Sequence, residues 1–299
     1  MTMPAVGPMG VGEILDRAFQ ILRAHFGTLF LTALIGTAPY MLLYAVLANP
    51  ALEAGSADAS AAFLLTFVTI MALVGLATAV VWGALAHQVQ RAVTGGTVTV
   101  PDGLRHGIRA LLRLLGAGLM VYLLLFALMI PVGLIGLVVV TVAALAFGEG
   151  MAAVLLSSLG IGVPVAILAV GWVALTFLVL PVVTVERAGP VRAITRSNQL
   201  ARGGRPRVFI TAFVAWLVIL LPAIGLPYLL GISAAVWDPA TVETVSSTRL
   251  LLYQATSFLV GGVTTPFLVA TMVFAYFDRR VRREGYDVEA ASAALGAEA

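Results

Sequence analysis

Long apolar runs alternate with short basic segments along this chain. A helix needs about 20 apolar residues to cross the ~30 Å hydrocarbon core of a bilayer. Six runs reach that length: Phe26–Leu47, Ala61–Ala86, Leu114–Phe147, Met151–Val185, Val208–Ile232 and Leu250–Phe277. None of them contains an acidic or basic residue. The third and fourth runs adjoin, and arginines bracket the pair, so 114–185 should hold an even number of crossings. Four crossings would leave no polar turns. Two long, bent helices turning at Phe147–Gly150 are therefore expected, with Pro131, Gly133 and Gly136 interrupting one and Gly160, Gly162 and Pro164 breaking the other.

The basic segments have a helical pattern of their own. In 12–26, Ile14, Leu15, Ala18, Phe19, Leu22 and Phe26 fall on one face, and Glu13, Asp16, Arg17, Gln20 and Arg23 on the other. In 102–115, Arg105, Arg109 and Arg113 form a stripe opposite Leu104, Ile108, Leu111 and Leu115. In 189–203, Arg192 and Arg196 lie four apart opposite a less apolar face. This spacing predicts three amphipathic helices lying in the membrane interface. Pro101 and Pro190 stand at two of their starts, where proline is tolerated.

Composition agrees with the pattern. The 299 residues are 61% hydrophobic and 10% charged, against about 25% charged in soluble domains. So few charges cannot cover a globular surface, and the chain reads as an integral membrane protein. Its net charge of +3 and its arginines flanking apolar runs make nucleic acid an unsuitable partner. All seventeen basic residues are arginine, and there is no cysteine, which excludes disulfides, thiolate metal sites and a cysteine nucleophile. The first residues lack a basic region followed by an apolar core, so no cleavable signal peptide is expected.

Charge sets the expected topology. With the N-terminus inside, the inner segments 1–25, 88–113, 186–207 and 278–299 hold every arginine except Arg249. Glu53, Asp58, Glu149, Asp238 and Glu243 fall outside. That is the positive-inside pattern, and it predicts a multi-pass protein of the bacterial inner membrane with both termini cytoplasmic. Residues 287–299 read as a flexible cytoplasmic tail after a single transmembrane domain, 1–286.

Each odd-numbered span follows a basic segment and carries a proline partway along: Pro39, Pro131 and Pro222. Three repeats of interfacial helix plus transmembrane hairpin are expected at 1–98, 99–187 and 188–286. The fold class is thus all-α, a six-span bundle with three interfacial helices. These prolines and Pro164 are candidate kinks; the ordinary reading is bent packing and the sharper one a mid-membrane hinge or cavity. Gly75, Ala79 and Gly83 form a small-residue stripe on span two for close helix packing, within this chain or against a second protomer.

Candidate chemistry is sparse. The absence of intramembrane charge argues against an ion-coupled pump. The most polar intramembrane stretch, 253–266, carries Gln254, Thr256, Ser257, Thr264 and Thr265; such groups usually bond to neighbouring helices, and the alternative is a substrate groove. His25, His87 and His106 fall near the inner face, but their spacing lacks a metal-binding signature, and neither a metal nor a cofactor is expected. Arg105, Arg109, Arg113, Arg192, Arg196, Arg202, Arg205, Arg207, Arg279, Arg280, Arg282 and Arg283 are candidate contacts for anionic lipid headgroups.

Three segments, GEILDRAFQILRAHFGTLFL (12–31), VERAGPVRAITRSNQLARGGRPRVF (185–209) and YFDRRVRREGYDVEA (276–290), occur in an order and spacing that resembles a bacterial six-span family named for the membrane domain of glycerophosphoryl diester phosphodiesterase. The resemblance covers about residues 12–290. It implies the membrane part of that architecture. The soluble phosphodiesterase domain fused to some members is not expected, because the chain ends about twenty residues after the last span, so no enzymatic activity is carried over. The leading expectation is a non-enzymatic structural or accessory component for a membrane-protein partner or for lipid organisation. The alternatives are a transporter or flippase-like carrier of a lipid or small apolar molecule, and a lipid-acting enzyme using Glu186, His87 and His106.

Overall fold

The computed structural model describes residues 7–47, 57–148, 150–230 and 247–285. It is helical throughout: α1 (Val11–Ala24), α2 (Phe26–Leu47), α3 (Ala57–Val93), α4 (Val100–Phe147), α5 (Met151–Thr176), α6 (Val179–Val185), α7 (Pro190–Ala201), α8 (Arg205–Leu229) and α9 (Ser247–Glu284). Among the described residues there is no strand. Five of these helices are long and apolar enough to cross a membrane, or six counting α1 with α2. The expected tail 287–299, the fifth run beyond 230, and Glu53, Glu149, Asp238 and Glu243 lie outside the described residues.

The long helices form a ring. α2 packs on α3, α3 on α4, α4 on α5, α5 on α8, α8 on α9, and α9 returns to α2 while also touching α3. The short helices α1, α6 and α7 gather at the arginine-rich end.

The three basic segments do not behave alike. α1 meets the first turns of α2 at 92°, with the break at His25. The third segment is a separate helix, α7, ending at Arg202 before α8 begins. The second differs from expectation: 102–115 is no separate helix but the first turns of α4, which continues for 48 residues. The sequence between Arg113 and Leu119 contains only strong or tolerated helix formers and Gly116 and Gly118, so nothing there forces a break.

The expected break in span four also lies elsewhere. α5 runs through Gly160, Gly162 and Pro164, and the chain breaks at Phe177–Leu178 instead. Pro181 is the cause. It has no N–H to donate to the carbonyl of Phe177, four residues back. The turn between α4 and α5 falls at 148–150 as expected, and Gly148 there has φ +61°, a backbone that favours glycine.

Packing is uneven. The buried core gathers Met9, Ile14, Ala18, Ile21 and Leu22 of the N-terminal segment against Leu85 and Val89 of α3, Val182 and Val183 of α6, Leu200 of α7 and Val273–Phe277 of α9. The apolar face of α1 is therefore largely covered by protein, with Phe19 meeting Phe267 edge to face at 6.3 Å. Phe19 itself remains exposed.

Candidate functional site: an ion-pair clamp and two cavities

The end of α9 reads Phe-Asp-Arg-Arg-Val-Arg-Arg-Glu, and its charges tie the arginine-rich end together. Asp278, 1% exposed, accepts from the backbone N–H of Met9 at 2.8 Å and from Arg282 Nε at 2.8 Å. Arg282 Nη2 in turn donates to the Met9 carbonyl at 3.1 Å. Arg279, 5% exposed, donates to the carbonyls of Leu200 and Arg202 at 2.9 and 3.0 Å, satisfying backbone groups left over where α7 ends. Arg283 also reaches the Arg202 carbonyl, at 3.2 Å. A Cβ on Gly204 would run into the Arg279 guanidinium, so a larger residue there would push the clamp aside.

A second polar cluster lies beside it. Glu186 accepts from Arg196 Nε at 3.1 Å and from the Tyr276 hydroxyl at 2.9 Å. Arg196 Nη1 also pairs with Glu284 at 2.6 Å, and Glu284 with Arg280 at 3.2 Å. The hydrogen bond to Glu284 raises the Arg196 pKa, with Glu186 adding to it and burial opposing it.

These contacts sort the twelve candidate headgroup arginines. Arg196, Arg279, Arg280, Arg282 and Arg283 bond to this chain's own groups, and Arg113 donates to the Arg187 carbonyl at 3.0 Å. Arg205 bonds to Asn198 at 2.8 Å while staying exposed, and Arg202 is exposed through its side chain. Arg105, Arg109 and Arg192 are exposed, and Arg207 is half-buried.

His87 on α3 and His106 on α4 stack with ring centroids 4.0 Å apart and planes 3° from parallel. Sequence spacing gave no sign of this pairing. It arises because α3 and α4 approach closely: a Cβ on Gly107 would strike the Val80 carbonyl, and one on Gly83 would lie 3.2 Å from Gly107 Cα. Glu186 bonds to Arg196 and Tyr276 rather than to either imidazole. Among the described residues no group of three metal-binding side chains is assembled. Of the small-residue stripe, Gly83 meets α4, while Gly75 has open space around it.

Gly75 and Ala79 face an open cavity of about 1240 Å³ lined by α3, α4, α5, α6, α8 and α9, with Tyr122 and Trp216 exposed at its rim. Its walls are almost wholly apolar, and they include Trp82, Trp172 and Trp216. It begins at Leu114 and Phe209, just inside Arg113 and Arg207, and reaches up to Met71 and Ala166. A smaller cavity of about 340 Å³ lies between α2, α3 and α9. Its lining is different: Thr37, Thr78, Tyr253, Gln254, Ser257 and Thr265 bring hydroxyls and an amide, together with apolar Ala33, Val81 and Phe258. Thr78 and Trp82 line both cavities. The polar stretch on span six thus opens in part onto a cavity, and Thr264 instead bonds back to the Val260 carbonyl at 2.9 Å. The candidate kinks Pro39, Pro131, Pro164 and Pro222 all lie within continuous helices.

A family described as a domain of unknown function, DUF7847, matches residues 9–279, and the chain belongs to that family. Nothing in this match links it to glycerophosphoryl diester phosphodiesterases. No curated protein and no solved structure matches the chain.

Proposed function

We propose that this protein is a six-span, non-enzymatic membrane protein that holds the hydrocarbon part of a lipid, or a molecule of similar apolarity, in its large cavity and carries it within the bilayer. The observation behind this reading is the cavity itself. Its size falls above the usual 300–1,000 Å³ of small-molecule pockets. Its walls offer little but aliphatic and aromatic surface, which suits an acyl or prenyl chain and repels a charged solute. It starts at the arginine belt, where a chain entering from the adjacent leaflet would arrive.

α1 and α2 make one bent unit in this reading, and the arginine-rich end faces the cytoplasm, as the positive-inside rule requires. Reporter fusions at both termini are expected to read cytoplasmic; a periplasmic C-terminus would sink the six-span count.

Two glycines give a direct test of occupancy. Gly75 and Gly118 line the large cavity, and a Cβ on either meets nothing within 4 Å. Gly75→Leu with Gly118→Leu should fill space without straining the backbone. Native mass spectrometry from nanodiscs should show a stoichiometric lipid or apolar molecule on the wild type and its loss in the double variant. Equal retention by both would contradict the reading.

A second reading, an accessory subunit for another membrane protein, draws on α4 and α5. These helices pack on each other and leave Phe126, Leu137, Leu145 and Ile167 exposed. A stoichiometric protein co-purifying in the same experiment would put this reading first.

A further inference from the structure

The smaller cavity is lined in part by polar but uncharged side chains. Gln254 is 7% exposed, and its side chain makes no hydrogen bond to protein among the described residues. Such a group is costly to leave unsatisfied, about 1–3 kcal/mol in protein interiors. Its polar atoms are nevertheless not sealed in, unlike the buried, unpartnered Nδ1 of His87, Oε1 of Gln88 and Nε2 of His106. They are reached from the cavity. Ser257 and Thr265 add two hydroxyls without a protein partner among the described residues, and Thr37, which donates to the Leu34 carbonyl at 3.0 Å, keeps lone pairs to accept with. The volume is far beyond the ~10–15 Å³ that a single water needs.

The cavity's position narrows what it could hold. It shares Thr78 and Trp82 with the large apolar cavity, so the two abut across one side of α3. About 14 Å of helix separates Thr78 from His87 at the arginine-rich end, which puts the junction deep in the bilayer. Neither cavity is lined by a charged side chain. A phosphate there would be a buried, unpaired anion, which the low-dielectric interior strongly disfavours. An amide and several hydroxyls instead match a hydroxyl, which like them can both donate and accept.

We infer that the small cavity binds the uncharged, hydroxyl-bearing head of an amphiphile whose hydrocarbon lies in the large cavity. The ligand class is a neutral lipid such as a diacylglycerol, not a phospholipid. This rests on the proposed occupancy of the large cavity and adds the chemistry of the head. Trp82, in the shared wall, lies where head and chain would join.

The test uses the full chain in phosphatidylcholine nanodiscs. The probes are diacylglycerol brominated in its acyl chains, the same diacylglycerol with its hydroxyl acetylated, and phosphatidic acid with the same chains, each at low mole fraction. Bromine quenches tryptophan at short range, and Trp82, Trp172 and Trp216 line the large cavity. Wild type should be quenched at several-fold to tenfold lower diacylglycerol than acetylated analogue or phosphatidic acid, the range set by one or two buried hydrogen bonds. Gln254→Leu, and separately Ser257→Ala with Thr265→Val, should erase that preference while retaining quenching. Circular dichroism and size-exclusion profiles like those of wild type establish that each variant is folded. Quenching that is equal for all three probes, or a preference that survives both sets of substitutions, overturns the neutral-head assignment and leaves the apolar cavity occupied. Quenching no greater than in the Gly75→Leu, Gly118→Leu double variant removes the occupancy reading itself.

Discussion

The arginine-rich end and the far half of the α4–α5 hairpin are built from the same helical material but held by different forces. At the arginine-rich end, α1 turns into α2 at 92°, and the charges of α9 bond backbone groups at positions 9, 200 and 202. Along the hairpin, two long apolar helices run side by side, and glycines make the contact: a Cβ on Gly136 would meet Ile161, and one on Gly160 would meet Val139. The first region excludes solvent by packing protein on protein. The second relies on its surroundings, because in lipid an exposed Leu or Phe loses nothing. Residues 114–147 span about 51 Å as helix, longer than the ~30 Å core. In a bilayer they must tilt, bend or thicken the membrane locally.

If that contrast is right, truncating a buried charge at the arginine-rich end should be the most damaging single change. Arg279→Ala leaves the carbonyls of Leu200 and Arg202 without this donor and Asp278 with one cation fewer beside it. A loss of about 3 kcal/mol is expected, by analogy with broken buried charge interactions. Thermal unfolding in detergent would show it, alongside Arg109→Ala at an exposed site, which should stay within about 0.5 kcal/mol. Equal effects would erase the distinction between the two kinds of arginine.

Glycines sharpen the comparison at smaller amplitude. Gly107→Val should destabilise by about 1–3 kcal/mol, because it forces α3 and α4 apart. Gly133→Ala, where a Cβ meets open space on the hairpin, should be neutral or stabilising by up to about 1 kcal/mol through helix propensity. The smallest effect concerns the interface. In nanodiscs of mixed lipid, Arg105→Gln with Arg109→Gln should lower the enrichment of anionic lipid around the protein, by about 1 kcal/mol per arginine at low salt. Unchanged enrichment would argue that these exposed arginines do not contact headgroups.

Some of this could be read from the chain and some could not. The apolar runs lacking charge gave long helices, because a period of charge and apolarity is a local property. Helix ends were less legible. Pro181 breaks the fourth run and Pro164 does not, since whether a missing N–H ends a helix depends on what can stabilise the bend around it. The charged face of 102–115 suggested a separate interfacial helix, yet no breaker separates it from the span that follows, and the two became one α4. The polar residues of 253–266 were visible as a cluster. Which of them line a cavity was not: Thr264 turns to its own helix, whereas Gln254 and Thr265 face α2 and α3 across a gap.

The arginines show the division most plainly. Their clustering between apolar runs follows from sequence and is enough to predict sidedness, because translocation responds to charge near a span's end. What each guanidinium does was decided by tertiary structure. Arg279 and Arg109 are chemically identical, yet one is buried on the carbonyls that end α7 and the other stands in the open. Likewise, sequence determined that this is a helical chain for an apolar solvent, through hydropathy and period. Only the ring of helices brought Trp82, Trp172 and Trp216 around one space and set Gln254 beside it, because a cavity is a property of how helices fail to touch, and no single segment encodes that.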